Sequence, residues 1–166
     1  MKIVDVICTK GRTGFYFDDQ KAIKTQAVPD GATYMGAAMT PGFHAVRQAG
    51  EAVSVMLILE DGQIAYGDCA AVQYSGAAGR DPLFLASEFI PMIERTIKPW
   101  LLGRKLTTFR SLSQCLDTMT DVQTGKRLHR AISYGVSQAI LDGVAKARHC
   151  QMCEVVAEEY GLEPDW

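Results

Sequence analysis

The feature that most restricts how this chain folds is a sheet hairpin written into residues 53–66. Val53 to Leu59 is a nearly continuous apolar run, Asp61-Gly62 sits at its end, and Gln63 to Tyr66 resumes an extended pattern. Asp-Gly suits a two-residue turn, whose central residues both need positive φ; glycine adopts it at little cost and aspartate tolerates it. Alternate side chains leave opposite faces of a strand. Val53, Val55, Leu57 and Leu59 therefore share one side, and Met56 and Ile58 lie on the other. One face needs a cover. Ile3 to Ile7, β-branched and alternating, adds a strand and makes a small antiparallel meander. Gly11 to Asp19 either continues that strand or turns away from it. Residues 24–50 carry Pro29, Gly31, Gly36, Pro41, Gly42 and Gly50 and read as a long loop with short extended pieces. A loop that long ordinarily has a task or a surface to lie on.

Four helical segments follow. The first opens at Asp81-Pro82, an N-cap residue and then proline at the first helical position. It carries Leu85, Phe89, Ile93 and Ile97 at four-residue steps, and Pro91 should kink or split it by removing a backbone donor. The second runs from about Thr108, with Phe109, Leu112, Leu116 and Met119 inward. The third and longest, from about Arg127 to Ala147, has the stripe Leu128, Ile132, Val136, Ala139, Ile140 and Val144, with Gly135 and Gly143 placed for close packing. The last spans Met152 to Tyr160. Strands first and helices afterwards indicate an α+β layer, a meander with helices against one face.

A length of 166 residues fits one domain with a substantial core. Net charge is −2 with no long run of either sign, so nothing forms a basic stripe for nucleic acid. No apolar stretch approaches the roughly 20 residues that cross a bilayer, and Asp5 interrupts the start where a signal peptide needs apolar sequence. Five irregularly spaced cysteines (Cys8, Cys69, Cys115, Cys150, Cys153) make a poor disulfide framework. The expectation is a cytoplasmic protein.

The stretch from Gly67 to Pro82 is the most unusual for chemistry. It leaves the hairpin, is built from small residues and ends at a helix start. One reading is a loop whose backbone donors, Gln73 or Arg80 meet a small anion; the other is a plain strand-to-helix connection. Asp81, as N-cap, would occupy the donors at that helix end and repel a carboxylate. Cys150-Gln151-Met152-Cys153 follows a helix in a chain without a βαβ unit, which is the wrong place for a redox motif, and His149 does not complete a zinc set. Asp18-Asp19, as strand neighbours facing opposite ways, reads as a solvated turn rather than an acid/base pair. His44, His129 and His149 are scattered, and His129 reads as a partnered structural histidine. Composition and spacing give no complete active site.

Three long runs resemble the methylaspartate ammonia-lyase family of the enolase superfamily: Phe15 to Gln20; Gly67 to Gly76 with Gly79 to Ala86; and Tyr134-Gly135 with Ser137 to Asp142. The resemblance extends from Met1 to about Tyr160 and departs at Ala78, Arg130, Ser133 and residues 25–40. It implies an enolase-type amino-terminal capping domain over 1–160, with 161–166 beginning the linker to a (β/α)₈ barrel that is missing here. In the family that barrel's lysine and its Mg²⁺ ligands eliminate ammonia from L-threo-3-methylaspartate to give mesaconate, in glutamate fermentation. A barrel takes around 250 residues. The resemblance therefore implies no catalytic residue and no metal ligand in this chain, with Mg²⁺ bound by the missing barrel. It carries over Gln73 as a substrate-binding residue on a cap loop. This polypeptide alone is then expected to be inactive. Its partners would be the amino acid substrate in the full enzyme, a barrel chain encoded separately in a split enzyme, or a second copy in a homodimer. Two alternatives stand beside this: a cap-derived interaction module, and a small thiol enzyme using Cys150 and Cys153.

Overall fold

The computed structural model describes residues 1–71 and 81–163. Strand β1 spans Ile3–Asp18 and is followed by a short helix α1 (Gln20–Thr25) and a two-stranded hairpin of β2 (Val28–Asp30) and β3 (Thr33–Met35). Strands β4 (Arg47–Leu59) and β5 (Ile64–Ala70) then complete a three-stranded antiparallel sheet in the order β1-β4-β5. Gly11 to Asp18 continues the first strand, past a register shift between Arg12 and Tyr16. β4 likewise begins at Arg47, well before the apolar run. Cys8, Val55 and Gly67 lie opposite one another across the three strands, so they share a face. The neighbouring rows on that face, Val6–Leu57–Ala65 and Val53–Cys69, are fully buried.

The turn between β4 and β5 differs from the two-residue form expected. Leu59 N donates to Gln63 O at 2.9 Å, which leaves Glu60, Asp61 and Gly62 between them, and Gly62 alone of the three has positive φ (+88°). Asp61 keeps an ordinary φ because its carboxylate accepts the Gln63 N–H at 3.0 Å, an alternative to the left-handed conformation.

Helices cover one face of this sheet, as expected of an α+β layer. Helix α2 (Ala86–Met92) runs through a π-helical turn at Ile93–Ile97 into α3 (Lys98–Leu101). Pro91 lies two residues before that widening, so the split expected of it takes the form of a π turn within a continuing helix. Helices α4 (Phe109–Thr118), α5 (Arg130–Arg148) and α6 (Met152–Tyr160) follow, and the apolar stripes read for α4 and α5 are the faces they bury.

The decisive packing is α5 on β5. A Cβ on Gly67 would collide with the Gly135 carbonyl and lie 2.6 Å from Ala139 N. One on Gly135 would lie 2.5 Å from Cys69 Sγ, and one on Gly143 would lie 2.8 Å from Leu106 Cδ1. Helix and strand thus meet backbone to backbone. α5 also seals the free edge of β5, because Asp142 Oδ2 accepts Tyr66 N–H at 2.8 Å and Lys146 Nζ donates to Ile64 O at 2.6 Å. At the opposite edge Lys98 Nζ donates to Val6 O at 2.8 Å. A lysine on each flank takes up a carbonyl that another chain would otherwise seek.

Gly135→Ala is expected to cost about 3 kcal/mol or more, the upper end for an overpacked core, in urea unfolding of the 166-residue chain. Gly14→Ala, whose Cβ meets nothing within 4 Å, should stay within about 1 kcal/mol of wild type. Equal effects at the two sites would refute the close-packing account.

Candidate functional site

β5 ends at Ala70, Ala71 is buried, and the described chain resumes at Asp81. Gln73, Ala78 and Arg80 lie outside the described residues. The two ends of this connection rest on the same helix. Cys69 packs against Gly135 on one side, and on the other Asp81 and Pro82 bond to Arg130 and His129 at the start of α5.

Asp81 does not cap the helix that follows it. That helix begins at Ala86: Leu83 and Phe84 are buried in the core ahead of it, and Leu85, with an extended backbone, is its N-cap. Asp81 Oδ2 instead accepts the N–H of Arg130, the first residue of α5, at 2.8 Å. The N-terminus of α2 is served from the sheet: Glu51 Oε2 accepts Ala86 N–H at 2.8 Å while its other oxygen binds Lys10 Nζ at 2.5 Å.

His129 is the N-cap of α5 rather than a residue within it. Its Nδ1 accepts Ala131 N–H at 3.0 Å, so the proton sits on Nε2, which lies 3.1 Å from Pro82 O. Phe84 and Phe89 stack with centroids 4.8 Å apart, and both meet the imidazole edge-on. Burial pushes the His129 pKa down, opposed by the Pro82 carbonyl and the Asp81 charge, and the ring is held neutral. The expectation of a partnered structural histidine holds, with the helix end and the 81–85 segment as its partners.

A cleft of about 650 Å³ opens beside this junction, lined by Asp81, Asp117, Arg127, Arg130, Ser133 and Tyr134 among others. It sets both signs of charge around hydroxyls, a surface for ion pairing and hydrogen bonding. Arg130 and Ser133, two positions where the family resemblance departs, both border it. Cys153 borders a different, apolar groove with Leu141, Val156 and Leu162. All five cysteines are free, and burial pushes the Cys69 thiol up to about 12.

Asp18 and Asp19 are not a solvated turn. Both are buried, and each has its own partners. Asp18 holds Arg47 through both oxygens at 2.7 and 2.9 Å, and that guanidinium also lies over the rings of Tyr16 and Tyr34. Asp19 caps α1 through Lys21 N and Ala22 N, and accepts Met39 N at 2.6 Å, Thr40 N at 2.8 Å and Thr40 Oγ1 at 2.6 Å. Burial works to raise its pKa, but the bonds from Thr40, Met39 and Ala22 outweigh it and hold the carboxyl below its usual range. Asp121, not singled out in the sequence, is buried with Arg95 at 3.0 and 2.9 Å and accepts from Thr96 and Thr124. Arg95 first among these holds it well below the ordinary carboxylate range.

These buried carboxylates are separate and saturated by N–H, O–H or guanidinium donors. Among the described residues no group of three or more His, Cys, Asp or Glu side chains could hold a metal ion. The described residues do not fit Mg²⁺. No helix among them is long and apolar enough to cross a membrane.

Helices on one face of a three-stranded meander, with the connection after β5 fastened at both ends to the longest helix, define an enolase-type amino-terminal domain. The L-Ala-D/L-Glu epimerase of Bacillus subtilis shares the fold at a TM-score of 0.50 and 16% identity over 89% of this chain and 32% of that one. More specifically, the chain belongs to the methylaspartate ammonia-lyase amino-terminal family: the profile "Methylaspartate ammonia-lyase N-terminus" matches residues 1–161. It is 62% identical over 160 residues to the methylaspartate ammonia-lyase of Clostridium tetanomorphum, covering 96% of this chain and 38% of that protein. The crystal structure of β-methylaspartase from that organism, a Mg complex, superposes with a TM-score of 0.95 at 60% identity, over 99% of this chain and 40% of that one. The Citrobacter amalonaticus enzyme, solved containing (2S,3S)-3-methylaspartic acid, gives 0.93 at 53% identity over 98% and 39%. This chain thus spans about two fifths of the length of the relatives it matches.

A carboxylate with a lowered folded pKa stabilises the fold above its unfolded value, roughly 3.9, and loses that contribution as pH falls through the folded value. Asp19→Asn is expected to cost about 2–4 kcal/mol at pH 7, since it sets an amide donor among donors in a buried site. It should also flatten the loss of stability below about pH 4. Unchanged stability at pH 7 in chemical unfolding would contradict this.

Proposed function

We propose that this chain is the substrate-capping amino-terminal part of a methylaspartate ammonia-lyase, which eliminates ammonia from L-threo-3-methylaspartate to give mesaconate. The observation that carries the reading is a family match running from residue 1 to 161, through both anchor points of the 72–80 connection. Residues 1–160 are the cap and 161–166 begin the linker. Gln73, on the connection, contacts substrate. Its placement is supported by the two anchors at Cys69–Gly135 and Asp81–Arg130, which bring both ends of a short run to one helix end. Proton removal beside the carboxylate, and the Mg²⁺ that stabilises the resulting charge, belong to the carboxy-terminal barrel. The cap's own tasks are to bind, orient and exclude water. Free cysteines are consistent with a cytoplasmic setting.

A second reading, a subunit or interaction module that holds a partner or its own copy, is favoured by one observation. The sheet face opposite the helices carries a row of Ile7, Met56 and Tyr66 and a second of Ile58 and Ile64, with Ile7 43% and Tyr66 54% exposed.

The 166-residue chain alone is expected to show no turnover of 3-methylaspartate, and mesaconate formation to appear when the carboxy-terminal part is supplied, joined or separate. In that combination Gln73→Ala should lower kcat/KM about tenfold to a hundredfold, the loss of one polar contact in a closed site. Turnover by the isolated chain would overturn the assignment of the chemistry. A silent Gln73→Ala would remove that residue from the pocket.

A further inference from the structure

We infer that His129 is a positioning residue: a proton switch of its Nδ1 between the Ala131 N–H and the Asp81 carboxylate sets where the 72–80 connection rejoins the fold. The functional consequence rests on the reading that this connection carries a substrate contact; the switch itself rests only on described residues.

With a neutral ring, Nδ1 receives the Ala131 N–H at 3.0 Å and Nε2–H faces Pro82 O at 3.1 Å. The imidazole therefore ties the 81–85 segment to the first turn of α5. Nε2 already holds a proton, so a second, taken from solvent, goes to Nδ1. That nitrogen then has no lone pair for Ala131, and two N–H groups confront each other. Asp81 Oδ2 lies 3.7 Å from Nδ1, the nearest group able to accept the new N–H. Asp81 is at the same time the acceptor for Arg130 N–H at 2.8 Å. Turning toward the imidazolium draws Asp81 from that bond, and Pro82 is the next residue in the chain. One proton thus exchanges two fixed contacts of the junction for one ion pair.

The groups facing the ring are accounted for from each side. Asp81 comes from the 81–85 segment and Phe84 with it; Phe89 comes from α2 and is uncharged. From α5 come the N–H groups of Arg130 and Ala131, and the side chain of Arg130 borders the neighbouring cleft with Arg127 and Asp117. The Pro82 carbonyl and the Asp81 carboxylate favour the cation. Burial opposes it, and so does the positive end of a 19-residue helix. The ring accordingly stays neutral at pH 7.5 and takes its proton below the ordinary histidine value, roughly 6.5. Asparagine at 129 keeps an oxygen acceptor for a helix cap but does not titrate.

The test uses three readouts. In nitrogen-15 NMR of the wild-type chain, His129 is expected as the Nε2–H tautomer, titrating below roughly 6.5. The Ala131 amide should lose about tenfold in hydrogen-exchange protection between pH 7.5 and 5.5, after correction for intrinsic rates, and His129→Asn should hold the same protection at both. In the enzyme formed with the carboxy-terminal part, the ratio of wild-type to His129→Asn KM for 3-methylaspartate should rise about threefold over that interval while the kcat ratio stays level. An Nδ1–H tautomer, an equal loss of protection in His129→Asn, or a KM ratio insensitive to pH would overturn the inference. If no variant turns over 3-methylaspartate while the first two readouts behave as stated, the lyase reading falls and the switch stands.

Discussion

The whole arrangement depends on how closely α5 approaches β5. Helices usually stand off a sheet by the length of their side chains, but here glycines on both surfaces remove that spacer. Gly67 faces Gly135 and Ala139, and Gly135 faces Cys69, so the two backbones touch. The gain is dispersion across a dense contact rather than a larger apolar area. The consequence is geometric. With α5 this near, Asp142 and Lys146 reach the outer edge of β5, and the first turn of the helix lies beside the point where the chain returns at Asp81. Edge protection and the anchoring of the connection both follow from that one contact.

Several helix ends in this fold are satisfied from a distance. Glu51 in the sheet caps α2, Glu159 on α6 caps α4 through Phe109 N and Arg110 N at 2.9 and 2.6 Å, and Asp81 caps α5. Asp19 serves its own helix and the loop at Met39–Thr40 together. Each of these carboxylates joins two elements that are remote in sequence. The orphan N–H groups of a helix end must be paired somewhere, and placing the acceptor on another element makes the cap a tertiary tie. This is also why the buried acids form no metal cluster among the described residues: each is consumed in a separate joint.

The features legible in the sequence were those carried by periodicity. The alternation of Val53, Val55, Leu57 and Leu59 sorts the two faces of the sheet without saying which is covered, the stripe from Ile132 to Val144 gives the buried face of α5, and Gly135 and Gly143 stand where close packing occurs. What escaped was what depends on non-local partners. Asp81-Pro82 has the local form of a helix start, but Asp81 is taken by Arg130 of α5 and Leu83 and Phe84 enter the core, and the helix begins at Ala86. Asp18-Asp19 has the polarity of a turn, and nothing local reveals Arg47 or Thr40. Gly62 takes the positive φ alone because Asp61 bonds Gln63. Asp121 gave no signal at all, since Arg95 and Thr96 reach it from a helix some 25 residues earlier. The family came from long residue runs. Gln73 comes from the same runs and lies outside the described residues.

With this packing, α5 and the β4–β5 hairpin are expected to open as one cooperative unit from which the other elements hang. Native-state hydrogen exchange of the 166-residue chain tests it most directly. The amides of Ile132 to Val144 and those of β4 and β5 should be the slowest in the molecule and share one opening free energy. Their separation into two classes, with α5 exchanging while the hairpin stays protected, would contradict the account.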